Sequence, residues 1–344
     1  MCQRRRRLSR KSIASSPAMP RLLNMGNELA RCSQGRARVA WRRWVMDEKA
    51  VGFTLEMPKV GIIRGVKAKD IEMVGGKVVN LRTCARPYEN IYTVTQLRAI
   101  QGVSKKYGSG KVHLSPRHNM EIPEIKNKHI DEALRDLYVA GLFPGGAGTS
   151  VRNVFTCPDW CARSVRPVQA IGKMVSTNFG DRDMPNKFTI SFAGCPNGCS
   201  RPHNTDVGII AVAKVTIADQ GCPDGCRECA KVCPVQAVGP TEGRVKINRP
   251  ACIACGRCVK ACPEKILRSE ETGFKVLIGG KEGATVAFGA VIAEFAKDFE
   301  LLEIIESVLR KYEQKVTPRL AGRKKKERMS EVIERLGIAA FLAD

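Results

Sequence analysis

Cysteine dominates the chemistry this chain could do. Fifteen cysteines lie in 344 residues, and eight of them fall in two short runs. The first is Cys222, Cys226, Cys229 and Cys233, closed by Pro234; the second is Cys252, Cys255, Cys258 and Cys262, closed by Pro263. Thiolates are soft ligands, and four of them at these spacings form the ligand set of a cubane 4Fe–4S cluster. In paired runs of this kind three neighbouring cysteines wrap one cluster and the fourth crosses to the other. The spacing therefore predicts one cluster on Cys222, Cys226, Cys229 and Cys262 and another on Cys252, Cys255, Cys258 and Cys233. Zinc and disulfides are the competing uses of such cysteines. Zinc pairs normally stand further apart and lack the proline ending. Disulfides suit exported domains, and the chain shows no export signal.

Four more cysteines form a third set, Cys157-Pro-Asp-Trp-Cys161 and Cys195-Pro-Asn-Gly-Cys199. On ligand type alone this set suits zinc as well as a cluster. The remaining three, Cys2, Cys32 and Cys84, have no partner pattern, and Cys84 reads as a small buried residue.

The elements that must position these groups are mixed α and β. Gly61 to Val66, Lys77 to Leu81, Lys111 to Leu114, Asn119 to Ile122, Lys187 to Phe192, Val207 to Val215 and Phe274 to Ile278 read as strands. Helices are predicted from Val94 to Lys106 (entered at Thr93, ended near Gly108), Lys128 to Ala140, Val168 to Ser176, Asp298 to Tyr312 and Ser330 to Leu336. Pro167 suits the first position of the third of these. Gly141 to Gly148 reads as a glycine-rich loop, and Arg323 to Arg328 as a solvated basic loop. The apolar elements on either side of residues 220–266 belong to one host domain, so that segment is predicted to be an insertion.

The formal charge is +24, of which residues 1–45 supply +11, leaving +13 for the rest. The first 45 residues show no period and read as a disordered basic tail, with Met46 as a candidate start. Their Arg-rich, acid-poor composition also suits a transit peptide. No apolar run reaches membrane-spanning length; the longest, Thr285 to Ala296, is interrupted by Gly289 and Glu294. Abundant cysteine without an export signal predicts a reducing cytoplasm and anaerobic chemistry. The basic surface predicts anionic partners. No aromatic stacking set or nucleic-acid motif accompanies it, so nucleic acid is not expected.

Several segments resemble the sirohaem nitrite and sulfite reductase family. Asn186-Lys-Phe-Thr-Ile-Ser-Phe-Ala-Gly-Cys-Pro-Asn-Gly-Cys-Ser-Arg-Pro-His-Asn-Thr-Asp-Val-Gly-Ile209 is similar to its second cysteine motif almost residue for residue. Val151 to Val154 resembles its Arg-Asn-Val stretch, His113 to Ile122 its arginine-containing hairpin, and Phe274 to Lys281 its Gly-Gly strand end. The resemblance covers about residues 50–344 and is nearest to the small anaerobic and dissimilatory sulfite reductases. It implies an α+β fold: a ferredoxin-like half domain (46–125), then a sirohaem- and 4Fe–4S-binding domain (126–219 and 267–344). Residues 220–266 would be an inserted bacterial-type ferredoxin domain with two 4Fe–4S clusters.

The resemblance also implies the site. Cys157, Cys161, Cys195 and Cys199 would hold a third cubane, with the Cys199 sulfur shared with the sirohaem iron and Asn197 beside the cofactor. Gly194 and Gly198 would let backbone N–H groups approach the sulfurs. Arg86, Arg152 and Lys187 would hold the substrate anion, with Arg82 as the alternative to Arg86, and Arg117 a sirohaem carboxylate. His203 is a candidate proton relay, with a structural hydrogen bond the plainer use. Two departures stand out: the first pair is spaced C-x3-C where the family has C-x5-C, and Thr189 stands where the family has a second lysine. The implied reaction is six-electron reduction of sulfite to sulfide, with nitrite reduction to ammonia or a non-catalytic electron carrier as the alternatives. Larger relatives carry the unit twice and build the site between the copies. One copy here implies a homo- or hetero-oligomer and an electron-donor protein or subunit.

Overall fold

The computed structural model describes residues 78–85, 91–116, 118–144, 149–219, 221–317 and 326–342. All of these belong to the unit Phe53–Asp344. The predictions at Gly61 to Val66, at Arg86 and at Arg117 fall outside the described residues.

Strand β1 (Val78–Ala85) is followed by helix α1 (Val94–Tyr107), β2 (His113–Leu114), β3 (Met120–Lys126), α2 (Ile130–Val139) and β4 (Leu142–Pro144). The four strands make an antiparallel sheet in the order β2-β3-β1-β4. Thr93 starts α1 with a capping box: its Oγ1 accepts the Gln96 N–H at 3.2 Å, and Gln96 Oε1 accepts the Thr93 N–H at 2.9 Å. Ile100 and Val103 of α1 and Leu134 and Leu137 of α2 close over Ile122 and Ile125. The predicted loop after α2 instead begins with β4, because Leu142 is buried in this core and its strand finds β1 as a partner.

The second body continues with β5 (Phe155–Thr156), α3 (Gln169–Phe179), β6 (Ile190–Ala193) and β7 (Val207–Ile217). Next come α4 (Glu228–Lys231), β8 (Val238–Thr241), β9 (Arg244–Ile247) and α5 (Arg257–Ala261). The remainder is β10 (Leu267–Ile278), β11 (Ala290–Ala296), α6 (Asp298–Lys315), α7 (Met329–Leu336) and α8 (Ala339–Leu342). Five strands pair in the order β11-β10-β7-β6-β5. β5, β6 and β7 run parallel, and β7, β10 and β11 antiparallel.

Alternation along the strands gives this sheet two different faces. Ile190, Phe192, Val207, Ile209, Phe274, Val276 and Ile278 face a core closed by the helices, including Val175 of α3, Leu301, Ile305 and Tyr312 of α6, and Val332 of α7. Ala193, Ile210, Val212 and Leu277 lie on the opposite face, with Cys157 and Ala254 packed against them.

Strands β7 and β10 pair along their whole length, from Val207–Ile278 to Ile217–Leu267. The chain between them therefore leaves and returns at adjacent points, joined by the Ala218 N–H to the Ile266 carbonyl at 2.8 Å. Loop ends held together in this way let a long insertion form at little extra entropic cost. The inserted chain packs Cys229, Val238, Val245, Cys258 and Ile266 with Ala213, Val215 and Leu267 of β7 and β10 in one small core.

Candidate functional site

Parallel pairing brings the two upstream cysteine loops together. Phe155 and Thr156 pair with Ser191 and Phe192, so Cys157 and Cys195 emerge at the same, C-terminal, end of the sheet. The Cys157 N–H donates to the Phe192 carbonyl at 3.1 Å, and the Val165 N–H to that of Gly194 at 2.7 Å. A tight turn, the Cys161 N–H on the Pro158 carbonyl at 3.2 Å, forms the shortened first loop. Asp159, inside that loop, accepts the N–H groups of Val168 and Gln169 at 2.8 and 3.1 Å and so caps α3. The helix therefore begins at Gln169, and Pro167 lies before the cap rather than at the first helical position.

Burial pushes the Cys195 thiol up, and negative charge on Cys157, Cys161 and Cys199 pushes the same way. All four thiols thus share one electrostatic neighbourhood. Cys195 is buried, Cys157 and Cys161 are half-buried, and Cys199 is exposed. Asn197 Nδ2 donates to Cys199 Sγ at 2.9 Å. The glycines act differently from expectation. The Gly198 N–H goes to the Cys195 carbonyl at 3.2 Å, not to a sulfur. At Gly194 a Cβ would stand 2.6 Å from Ser164 Oγ, so this glycine lets the two loops touch.

The inserted segment carries the other eight thiols. Burial first, then Cys226 and Cys262, raise the Cys222 thiol; burial and then, after a lowering backbone N–H, Cys222 and Cys226 raise that of Cys229. Cys262 thus lies with the first run, although it belongs to the second in sequence. Burial pushes the Cys258 thiol up to about 11, with Cys255 and Cys252 adding to it. Cys233, Cys252, Cys255 and Cys258 line one cavity with Val235, Ile247 and Ile253. Its loop is seated on the host sheet: the Ala213 N–H donates to the Ala254 carbonyl at 2.8 Å, and Ala254 packs in the same cluster as Cys157. All twelve of these cysteines are free thiols. Among the described residues no group of three or more His, Cys, Asp or Glu side chains closes on a point that one metal ion could occupy. Thiols gathered in fours, without disulfides, are the donor chemistry a four-iron cluster needs.

Two of the predicted cations are placed. The Arg152 N–H donates to the Phe188 carbonyl at 2.7 Å, setting the two segments side by side just before β5 and β6. Val151 and Phe188 point into the helix-covered core, so Arg152, Lys187 and Thr189 belong to the opposite face. Arg152 is buried and Lys187 half-buried. The hairpin around residues 113–122 reaches this strand through Asn153 Nδ2 on Asn119 Oδ1 at 2.5 Å and through the His118 ring, 5.7 Å from that of Phe155. The His203 carbonyl accepts the Gly289 N–H at 2.7 Å, and its ring lies beside Gly198.

Sequence reasoning gave Asp206 and Asn186 no role of their own and read Arg328 as part of a solvated loop, whereas it is half-buried against Asp206. Asp206 Oδ2 accepts the Thr189 N–H and hydroxyl at 2.8 and 2.7 Å, and Arg328 Nη2 donates to both Asp206 oxygens at 3.1 Å. Asn186 joins the Lys187 N–H to the Lys326 carbonyl. No spacing signal links residues 122 positions apart, and the pair is made only by the fold.

Comparison with known proteins bears on this geometry. Residues 147–344 match the nitrite and sulphite reductase 4Fe-4S domain, and residues 69–140 the nitrite/sulfite reductase ferredoxin-like half domain. The chain is 30% identical over 255 residues to the coenzyme F420-dependent sulfite reductase of Methanocaldococcus jannaschii, covering 74% of this chain but only 40% of that protein. It is 27% identical over 303 residues to the dissimilatory-type sulfite reductase subunit beta of Nitratidesulfovibrio vulgaris, covering 78% of this chain and 77% of the other. The fold superposes on the crystal structure of dissimilatory sulfite reductase I with a TM-score of 0.62 at 21% identity, over 83% of this chain and 75% of that one. The chain belongs to the sirohaem nitrite/sulfite reductase family and is similar to its dissimilatory-type sulfite reductase subunits.

Proposed function

We propose that this chain is the catalytic subunit of a sirohaem-dependent sulfite reductase, carrying out the six-electron reduction of sulfite to sulfide. The observation that carries the reading is the group of four thiols at the C-terminal ends of β5 and β6, seated beside the loop that bears Cys252 and Cys255. Cys157, Cys161, Cys195 and Cys199 would hold one 4Fe–4S cluster with sirohaem against Cys199. The two sets in the insertion would hold two more. Bound there, the clusters supply electrons singly, and sirohaem supplies the iron at which the anion is reduced.

The chain's own part is to hold charge. Asn197, donating to Cys199 Sγ, tunes that thiolate and fixes its direction. Arg152 and Lys187 would hold the oxygens of the anion and donate hydrogen bonds as the oxygens leave as water. Each unit charge pair at about 4 Å contributes roughly 4 kcal/mol at an effective dielectric of 20. From Phe188 to Ala193 the strand runs about 16 Å, so the cations and thiols of one chain stand apart. A second chain, identical or homologous, would bring the cations of one onto the thiols of the other. The basic surface suits an acidic electron donor.

The test is turnover by the anaerobically purified full chain with a reduced viologen as donor. Sulfide formed in proportion to sulfite, and lost in Arg152→Ala, is the expected result. Ammonia from nitrite with no sulfide from sulfite would transfer the reading to nitrite. Full turnover in Arg152→Ala would remove that residue from the site.

A further inference from the structure

The segment that carries Lys187 is held from outside its own sheet. Asn186 Oδ1 accepts the Lys187 N–H at 2.8 Å, while Asn186 Nδ2 donates to the Lys326 carbonyl at 2.7 Å. Two residues on, Thr189 gives both its N–H and its hydroxyl to Asp206 Oδ2, and its hydroxyl oxygen accepts the Asp206 N–H at 3.1 Å. Asp206 is fully buried. A buried carboxylate is costly unless it is paired and hydrogen-bonded, and Arg328 is its partner through Nη2 at 3.1 Å from each oxygen. Arg328 lies immediately before α7, where its own N–H is fixed by Glu331 Oε2 at 2.8 Å. Residues 326–328 thus grip both sides of Lys187, at Asn186 and, through Asp206, at Thr189.

We propose that Arg328 is a positioning residue for Lys187: by pairing with Asp206 it fixes the Asn186–Thr189 segment, and so sets the affinity for the oxyanion without touching it. This rests on the reading that Lys187 holds the anion. Lys187 would hold the anion both before and during reduction, so loss of Arg328, which loosens its segment, is expected to lower kcat/KM.

The experiment measures KM and kcat for sulfite in the full-length holoprotein with Lys187→Ala, Arg328→Met, Arg328→Lys, Asn186→Ala and the double variant Asp206→Asn/Arg328→Met. Arg328→Met and Asn186→Ala are expected to lower kcat/KM about tenfold, with KM raised. Arg328→Lys is expected to recover most of the loss. The double variant leaves no buried unpaired charge, so it folds even where Arg328→Met does not. Its neutral amide still accepts from Thr189, and its KM is expected close to that of the parent. If Lys187→Ala raises KM while Arg328→Met and Asn186→Ala leave it unchanged, the positioning role is overturned and the role of Lys187 stands. If Lys187→Ala leaves KM unchanged, the reading of Lys187 itself fails.

Discussion

Replacing Gly208 by alanine tests how the turn after Cys199 is held. Gly208 is the second residue of β7, and the 3-10 turn Pro202–Asn204 lies directly on it. A Cβ at 208 would fall 2.6 Å from the Pro202 carbonyl carbon and 3.1 Å from its Cα, with the carbonyl oxygen closer still. Optimal carbon–carbon contact lies near 3.5–4.0 Å, so backbone must move by about 1 Å. The turn has little room: Gly280 packs against its other side, where a Cβ would meet the Thr205 carbonyl at 2.6 Å. Overpacking of this kind costs about 1–3 kcal/mol, and displaced backbone places Gly208→Ala at the upper end. The displaced turn carries Cys199 and Arg201 with it, so iron content should fall together with stability. Denaturant unfolding of the holoprotein gives the first quantity and iron analysis the second. An unchanged unfolding midpoint with full iron content would refute the packing argument.

Other perturbations follow from single contacts. Asp159→Ala removes the acceptor for two N–H groups at the start of α3; a stability loss of about 1 kcal/mol is expected in urea unfolding. The Arg335 guanidinium holds the Glu327 carboxyl at about 2, below its ordinary 4.5. A depressed carboxylate stabilises the folded state above its unfolded value and loses that contribution as pH falls through the folded one. The difference in unfolding midpoint between Glu327→Gln and the parent should therefore be full above pH 4.5 and shrink towards pH 2. Asn197→Leu takes a donor from Cys199 Sγ. Removing a hydrogen bond to a cluster sulfur disfavours the reduced state, so potentiometric titration should give a more negative potential for that centre.

The legible parts of this fold were those whose cause is local. Thr93 and Gln96 announce α1, and the spacing of Leu301, Ile305, Val308 and Tyr312 announces α6, because capping and amphipathicity act within a few residues. β5 was missed because two residues carry no period; it exists through its pairing with β6. β11 was met only as an interrupted apolar run, since Gly289 and Glu294 break its alternation before β10 supplies its partner. At α3 the proline signal pointed two residues too early, because the N-cap is Val168, whose N–H is held by Asp159 nine residues earlier. Within the site, cysteine spacing marked the thiols as candidate ligands, while the place of Cys262 beside Cys222 is set by the fold. Asp206 and Arg328 lay beyond reach, since their pairing is made only by tertiary packing.

Whether this chain holds sirohaem and three clusters is decided by sirohaem extraction and iron counting on the anaerobically purified protein. Sirohaem bands with roughly thirteen iron per chain, from three cubanes and one haem iron, is the predicted result. About eight iron and no sirohaem, from a host able to make sirohaem, would contradict the account and leave an electron carrier in its place.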